Sequence, residues 1–178
     1  VVVPASLPAD YQTVGFSDSG WLTGDGGFGT IPSSSDACYL QLNNPTYVKT
    51  LWPLSTDVLL RKHFNLPGGT TNLKVSVAID NDVQVFINGQ DVSGGLRPHE
   101  NCATRGSFLF SVSNTILNTG DNLLVVRGHD RGGETYLDVQ LTADLPQYTL
   151  TPLTGPNGTI TPSNLIVVNS GGTQKFTI

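Results

Sequence analysis

Hydrophobic and polar residues alternate most strictly over residues 73–92, where two apolar runs flank the polar stretch Asp80-Asn81-Asp82. Each run places every second residue on one face, and these residues are Leu73, Val75, Val77 and Ile79 in the first run and Val83, Val85 and Ile87 in the second. This period of two predicts an antiparallel β-hairpin with one buried face, and Asp80-Asn81-Asp82 as its turn. Because a hairpin cannot bury its apolar face alone, the rest of the chain must supply a second layer.

Shorter alternating runs predict further strands on both sides of this hairpin. We expect strands at residues 12–16, 46–52, 58–66, 108–112, 123–127 and 134–142. In residues 58–66 the inward-facing stripe is interrupted by Lys62, whose stem can cover apolar surface while its ammonium group stays in water. Residues 1–36 and 93–107 are irregular and rich in Gly and Ser, so we expect long loops there.

The dipeptide Leu145-Pro146 predicts a domain boundary. We therefore divide the chain into a β-sandwich of residues 1–145 and a small unit of residues 146–178. In the second unit we expect short strands at residues 148–153, 158–161, 165–169 and 173–178. This unit has too little apolar mass for a comfortable core of its own, so it is either a partial second module or a strand extension of the sandwich. We also expect the chain to be a fragment of a larger protein.

The composition narrows the protein class. Charged residues make up 13% of the chain, Gly and Pro number 20 and 11, and Met is absent, which favours a turn-rich all-β fold. The formal net charge is −5 and the 9 Lys and Arg residues do not cluster, which argues against a nucleic-acid partner. No run of about 18 apolar residues occurs, so we expect no membrane insertion.

The two cysteines, Cys38 and Cys102, are far apart in the chain and lack the CxxC spacing of a metal or redox site. They form either a disulfide or two free buried thiols. A disulfide would close a loop of roughly 65 residues and stabilise the fold by about 4 kcal/mol in the chain-entropy model. It would also place the protein in an oxidising compartment, so we expect an extracellular protein that is secreted or sits on a cell or virion surface.

An ordered series of motifs resembles the galactose-binding-like jelly-roll sandwich of carbohydrate-binding modules. The series is Val14-Gly-Phe-Ser-Asp-Ser-Gly-Trp21, Gly27-Phe-Gly29, Leu59-Leu-Arg-Lys-His-Phe64, Val77-Ala-Ile-Asp-Asn-Asp82, Val85-Phe-Ile-Asn-Gly89 and Leu117-Asn-Thr-Gly-Asp-Asn-Leu-Leu-Val-Val126. The resemblance covers about 130 residues and implies an all-β, antiparallel jelly-roll sandwich with a tendency to bind glycans through its loops. Residues from Tyr148 onward resemble the short β repeats of bacterial surface and secreted proteins.

Two polar loops are candidates for ligand binding. One contains Asp130, Arg131 and Glu134, and the other contains Arg97, His99 and Glu100. If the fold brings the loops together, their carboxylates can accept from sugar hydroxyls and Arg131 can donate. The alternative is that they are solvated charged turns.

Sugar recognition also uses an aromatic face, and Trp52, which precedes Pro53 at a turn, is the best candidate for it. Trp52 as a core residue is the alternative.

Asp18 and Asp25 lie among glycines and are candidate ligands for a structural calcium ion. The alternative is that the neighbouring aromatic residues Phe16, Trp21 and Phe28 anchor a long loop to the sandwich. Asp80 and Asp82 could also hold a cation, but Asp and Asn are ordinary turn residues that tolerate positive φ, and we favour the turn.

No catalytic motif accompanies these residues. GxSxG, HExxH and phosphate-binding glycine loops are absent, so we do not expect an enzyme. We expect a non-catalytic extracellular module that binds a glycan or surface polysaccharide, or is otherwise adhesive. The alternative is a structural subunit of a surface filament, phage fibre or capsid that contacts copies of itself or a neighbouring subunit.

Overall fold

Two facing β-sheets form the body of the protein, in a computed structural model that describes all 178 residues. One sheet has five strands in the order β2-β1-β9-β4-β7, and the other has four in the order β3-β8-β5-β6. The strands are β1 Phe28–Gly29, β2 Thr50–Leu51, β3 Asp57–Leu66, β4 Thr71–Asp80, β5 Asp82–Ile87, β6 Gln90–Asp91, β7 Phe108–Ser111, β8 Gly120–His129, β9 Tyr136–Asp144, β10 Gln147–Leu150 and β11 Ile166–Asn169. All neighbouring strands are antiparallel except β1 and β2. The predicted all-β sandwich is confirmed.

The core lies between the two sheets and consists of the side chains that the alternation predicted. Its 15 buried residues include Val75, Val77 and Ile79 from β4, and Val83 and Val85 from β5. Every second residue of a strand points to the same face, so each sheet contributes one apolar face to a shared dry interior.

The predicted hairpin at residues 73–92 is wrong in its pairing. Strand β4 pairs with β7 and β9, whereas β5 pairs with β8 and β6, so the two strands belong to opposite sheets. Asn81 alone separates them and carries the chain across the core. We call this connection between strands of opposite sheets an arch. A hairpin and an arch show the same alternation, because alternation reports which face of a strand is buried and not which strand is its hydrogen-bonded neighbour. The tight hairpin lies one strand later, where Asn88 and Gly89 take φ of 50° and 82° between β5 and β6.

The four-stranded sheet is also buried on its outer face. Leu59 of β3 and Leu123 and Val125 of β8 point away from the core and contact Tyr11 of the N-terminal segment. Unbroken apolar runs such as Leu123-Leu-Val-Val126 follow from this double burial. The N-terminal segment covers the sheet as turns, so the strand predicted at residues 12–16 is wrong.

The outer face of the five-stranded sheet is covered by two long loops that a disulfide joins. Cys38 and Cys102 are bonded, with their Cα atoms 5.0 Å apart, which confirms the disulfide prediction. Beneath them Ala78 of β4 and Tyr136 of β9 pack against Leu42 and Ala103 of the loops. The strand predicted at residues 46–52 is reduced to the two residues of β2, because most of that segment belongs to this covering loop.

The C-terminal residues form a separate two-stranded sheet in which β10 pairs only with β11. Of the four short strands predicted there, the second and fourth are reduced to one isolated bridge between Thr161 and Thr177. No residue after Leu137 is fully buried, and Leu153 and Ile178 are 85% and 97% exposed. In the body of the protein the one helix is a 3-10 turn at Asn114–Ile116, and no helix has the length and hydropathy needed to cross a membrane.

The disulfide gives a direct test of the layer over the five-stranded sheet. We predict that the C38A/C102A variant has a free energy of unfolding about 4 kcal/mol lower than that of wild type. Without the disulfide, the unfolded chain regains the conformational entropy of a loop of 64 residues. The corresponding fall in melting temperature is roughly 10 °C. Thermal denaturation followed by circular dichroism measures it. The wild-type protein in reductant is the matched control and should fall by a similar amount; an unchanged melting temperature in both would contradict the prediction.

Candidate functional site

The fold brings the two predicted polar loops together at one end of the sandwich. Arg131 bridges them: its Nε donates to Asp82 Oδ1 at 3.1 Å, and its Nη2 donates to Glu100 Oε1 at 2.8 Å and to the carbonyl of His99 at 3.1 Å. Arg97 is held beside them because its backbone exchanges two hydrogen bonds with Val83 of β5. We expected ligand binding at these two loops only if the fold brings them together, and Arg131 and Glu100 are in contact.

These polar groups are nevertheless largely occupied by one another. Asp130 accepts from the backbone N–H of Ser55, and Glu134 Oε2 accepts from Thr30 Oγ1 at 2.7 Å. Arg127 and His129 share the carboxylate of Asp57 at 3.1 and 3.0 Å. A ligand that used Asp82, Glu100 or Arg131 would have to break their ion pairs, so these three residues form a closed polar network that ties loops to strands. Arg97 makes no side-chain hydrogen bond, and Nδ1 of His99 is buried without a partner.

Asp80 has fewer hydrogen-bond partners than most of these side chains. Its side chain is 4% exposed, and its only hydrogen bond joins Oδ1 to the amide of Asn81 at 2.7 Å. Burial, followed by the negative charges of Asp130 and Glu134, raises the pKa of Asp80 to about 7. Oδ1 of Asp130 is buried nearby without a partner. Asp80 and Asp82 are thus buried where the chain passes from β4 to β5, and Asn81 alone connects the two strands. None of the three residues has the positive φ on which the turn prediction was based.

Trp52 is a core residue, and the prediction that it offers an exposed stacking face is wrong. Its side chain is 0% exposed and its Nε1 donates to Thr56 Oγ1 at 3.1 Å. Gly128 of β8 leaves room for the ring, because a Cβ there would lie 2.8 Å from the Trp52 Cη2 atom. The sequence suggested that Trp52 is exposed because Pro53 follows it. Instead β2 ends at Leu51, and the Trp52 ring packs into the core.

The two predicted calcium ligands have different surroundings. Asp18 Oδ2 accepts from Arg61 Nε at 3.0 Å, so its carboxylate is paired with a guanidinium. Asp25 makes no side-chain hydrogen bond, although its backbone carbonyl accepts from Thr50. No group of three or more His, Cys, Asp or Glu side chains is arranged to hold a metal ion. Calcium binding stays a prediction, and it would require Asp18 to leave Arg61.

A groove of about 670 Å³ lies on one open side of the sandwich. It opens where the edge of β3 faces β9 and β1 of the other sheet. One wall is the N-terminal segment, and the floor is apolar. The residues that line it are Val1, Leu22, Thr23, Gly24, Asp25, Gly26, Phe28, Leu60, Arg61, Lys62, Leu124, Asp138 and Val139. A second hollow of about 90 Å³, between Arg105 and Asp138, has room for only a few water molecules.

The groove presents charged groups that no other side chain satisfies. Lys62 and Asp25 have no hydrogen-bond partner, and Asp138 accepts only from the adjacent backbone N–H of Val139 at 2.9 Å. Arg61, in contrast, is 2% exposed and fully used: besides Asp18 it donates to the carbonyls of Tyr11 at 2.6 Å and Phe16 at 3.2 Å. The groove is therefore lined by two carboxylates and one ammonium group together with apolar side chains such as Leu60 and Val139. Asp138 lies on the same face of β9 as Tyr136 and also lines the second hollow.

The groove was not predicted from the sequence, although one signal pointed to it. Lys62 is an exposed residue at a position of β3 that faces the interior, two residues after the half-buried Leu60. An inward-facing lysine with a wet ammonium group indicates that the two sheets do not close over that position. The wall at Asp25 could not be predicted, because it depends on how the N-terminal segment folds back over β3.

The buried Asp80 carboxyl makes stability depend on pH. Its folded-state pKa, about 7, lies above the unfolded value of 3.8. Its contribution is therefore fully present below pH 3.8, declines as pH rises towards 7, and is lost above that. We predict that Asp80→Asn, which keeps an acceptor for Asn81, melts several degrees higher than wild type at pH 8 and that the difference shrinks towards pH 4.

Asp82→Asn is the matched control for this prediction. It weakens the ion pair with Arg131 and should melt below wild type at pH 8. Melting curves of the three proteins from pH 4 to 8 measure both effects, and subtracting the wild-type curve removes the pH dependence that the three proteins share. A constant difference between Asp80→Asn and wild type across this range would contradict the prediction.

Comparison with known proteins assigns no family to the chain. No protein-family model matches it, and no curated protein matches it in sequence. The groove and the closed polar network are thus the features from which a function can be inferred.

Proposed function

We propose that this chain is a non-catalytic binding module of an extracellular protein and that it binds a glycan in the groove between β3 and β9. The observation that carries the proposal is the groove itself, where the side chains of Asp25 and Lys62 have no partner and Asp138 accepts only from a backbone N–H. Its volume of about 670 Å³ is in the range of small-molecule sites and has room for a few sugar units.

The chemistry of the groove matches that of a sugar. A carboxylate can accept two hydroxyl protons, and an ammonium group donates to ring and hydroxyl oxygens. The C–H face of a pyranose is apolar and can lie on Leu22, Leu60 and Val139, which line the same cavity. With two carboxylates and one ammonium group, the groove favours neutral or amino sugars over acidic ones.

Binding without catalysis is proposed because the chain carries no catalytic motif and because its buried acid, Asp80, lies outside the groove. Glycosidases need one carboxylic acid whose pKa is raised so that it can protonate the leaving group. Asp80, whose pKa burial raises to about 7, is not among the residues that line the groove.

The extracellular location and the family are part of the same proposal. The Cys38–Cys102 disulfide supports an oxidising compartment. The resemblance of residues 10–143 to galactose-binding-like jelly rolls supports glycan binding, since many members of that family bind carbohydrates.

A structural subunit is the second candidate function, and the C-terminal unit favours it. Its two-stranded sheet leaves both edges open and exposes Tyr148 and Val167 by 54% and 59%. A two-stranded sheet is marginal in water, so this unit would gain from a strand of a neighbouring subunit.

Glycan binding is tested on an array of neutral, amino and acidic glycans, followed by calorimetry with the best binder. We predict that Asp25→Asn and Asp138→Asn each weaken binding by about tenfold or more, because each loses a hydrogen bond to a charged group. Glu100→Gln is the matched control, since it changes a carboxylate of the other candidate site; its affinity should equal that of wild type.

Two results would overturn the proposal. If Glu100→Gln loses affinity while the groove variants keep it, the ligand binds at the loops. If the array yields no binder and the protein assembles into open-ended filaments, the chain is a structural subunit.

A further inference from the structure

Strand β7 forms the outer edge of the five-stranded sheet, and half of its backbone has no partner. Val112 N–H donates to the carbonyl of Leu73 at 2.9 Å, and Phe110 lies opposite Val75 of β4. Because hydrogen-bonding direction alternates along a strand, the backbone of Phe108 and Phe110 faces β4. The N–H and C=O groups of Leu109 and Ser111 therefore point outward from the sheet.

This edge lacks the charge found on the other long edges of the sandwich. The edge of β3 carries Lys62 and His63, and the open part of β9 carries Asp138 and Asp144. From Ser107 to Gly120 the chain has no charged residue, and Leu109 is 59% exposed. Proteins usually place a charge on an edge strand to prevent pairing with another chain, so an uncharged edge with an exposed Leu is suited to such pairing.

The residues of β7 are self-complementary about a two-fold axis. If Leu109 of one copy exchanges hydrogen bonds with Ser111 of another, Phe110 lies opposite its own copy and Phe108 lies opposite Val112. All of these pairs are uncharged. Phe108 and Phe110 are half-buried and stack with their ring centroids 5.6 Å apart, so the partner would cover their remaining exposed area.

The open part of β9 is less suited to the same arrangement. If β9 paired with a second β9 about Leu141, Asp138 of each copy would lie opposite Asp144 of the other. Like charges directly opposite each other destabilise a strand pair, so that register is disfavoured. The β7 pairing places no charged residues opposite each other.

We propose that β7 is a homodimer interface, in which two copies pair antiparallel through Leu109 and Ser111 and join their five-stranded sheets into one. This proposal goes beyond glycan binding and does not depend on it. The groove lies at β9 and β1, towards the opposite edge of the sheet, so it stays open in the dimer and the dimer would present two binding sites.

Sedimentation velocity over a range of concentrations tests the dimer. The strand is short, so we expect reversible, concentration-dependent dimerisation. Leu109→Pro should abolish it, because Pro lacks the outward N–H and cannot bond to the partner. The fold should tolerate this change, since Pro is accepted on an edge strand whose N–H faces solvent. Leu109→Val keeps the N–H group and is the matched control, which should dimerise like wild type.

Hydrogen exchange in the wild-type protein gives a second readout that needs no variant. The amides of Leu109 and Ser111 should become protected as concentration rises, whereas those of Phe108 and Phe110 should be protected at every concentration. A monomer at all concentrations would overturn the proposal. A dimer that persists in folded Leu109→Pro would also overturn it. So would hydrogen exchange at Leu109 and Ser111 that does not change with concentration, and this readout decides the matter if Leu109→Pro fails to fold.

Discussion

The buried guanidinium of Arg61 is the interaction on which the functional part of this structure depends. It is 2% exposed and donates to Asp18 and to the carbonyls of Tyr11, Thr13 and Phe16, so one side chain of β3 fixes a long stretch of the N-terminal segment. Its plane also lies over the Phe16 ring, 5.3 Å from the centroid. A buried charge is tolerated only when it is paired and hydrogen-bonded, and here the segment supplies those partners. Without Arg61, the stretch from Tyr11 to Asp18 would lose its anchor on β3, whereas the wall at Asp25 is held separately by Thr50.

The covering of both sheets limits where a ligand can bind. The N-terminal segment buries the outer face of the four-stranded sheet around Leu59, and the disulfide-linked loops bury that of the five-stranded sheet around Tyr136. Neither covered area can serve as a flat binding platform. What remains open is the side of the sandwich between β3 and β9, and the free strand edges. Glycan binding and strand pairing are proposed at those places for this reason.

The sequence predicted more of the fold than of the site. Alternation located the buried faces of β3, β4 and β5, and the spacing of the cysteines allowed the disulfide. It did not predict that β4 and β5 lie in different sheets, because burial on one face is compatible with either partner. The loop site was predicted from residue type alone. Arg131 does meet Glu100, but hydrogen-bond partners decide whether such groups are free for a ligand, and partners depend on the folded loops.

The most direct test of the groove is a solution NMR titration of 15N-labelled protein with its best glycan ligand. We predict that the amide signals of Leu22 to Gly26, Leu60 to Lys62, and Asp138 and Val139 shift, since these residues line the groove. The signals of Arg97 to Glu100 and Asp130 to Glu134 should stay in place. Shifts confined to those two loops would contradict the central claim, because they would show that the ligand opens the closed polar network and leaves the groove empty.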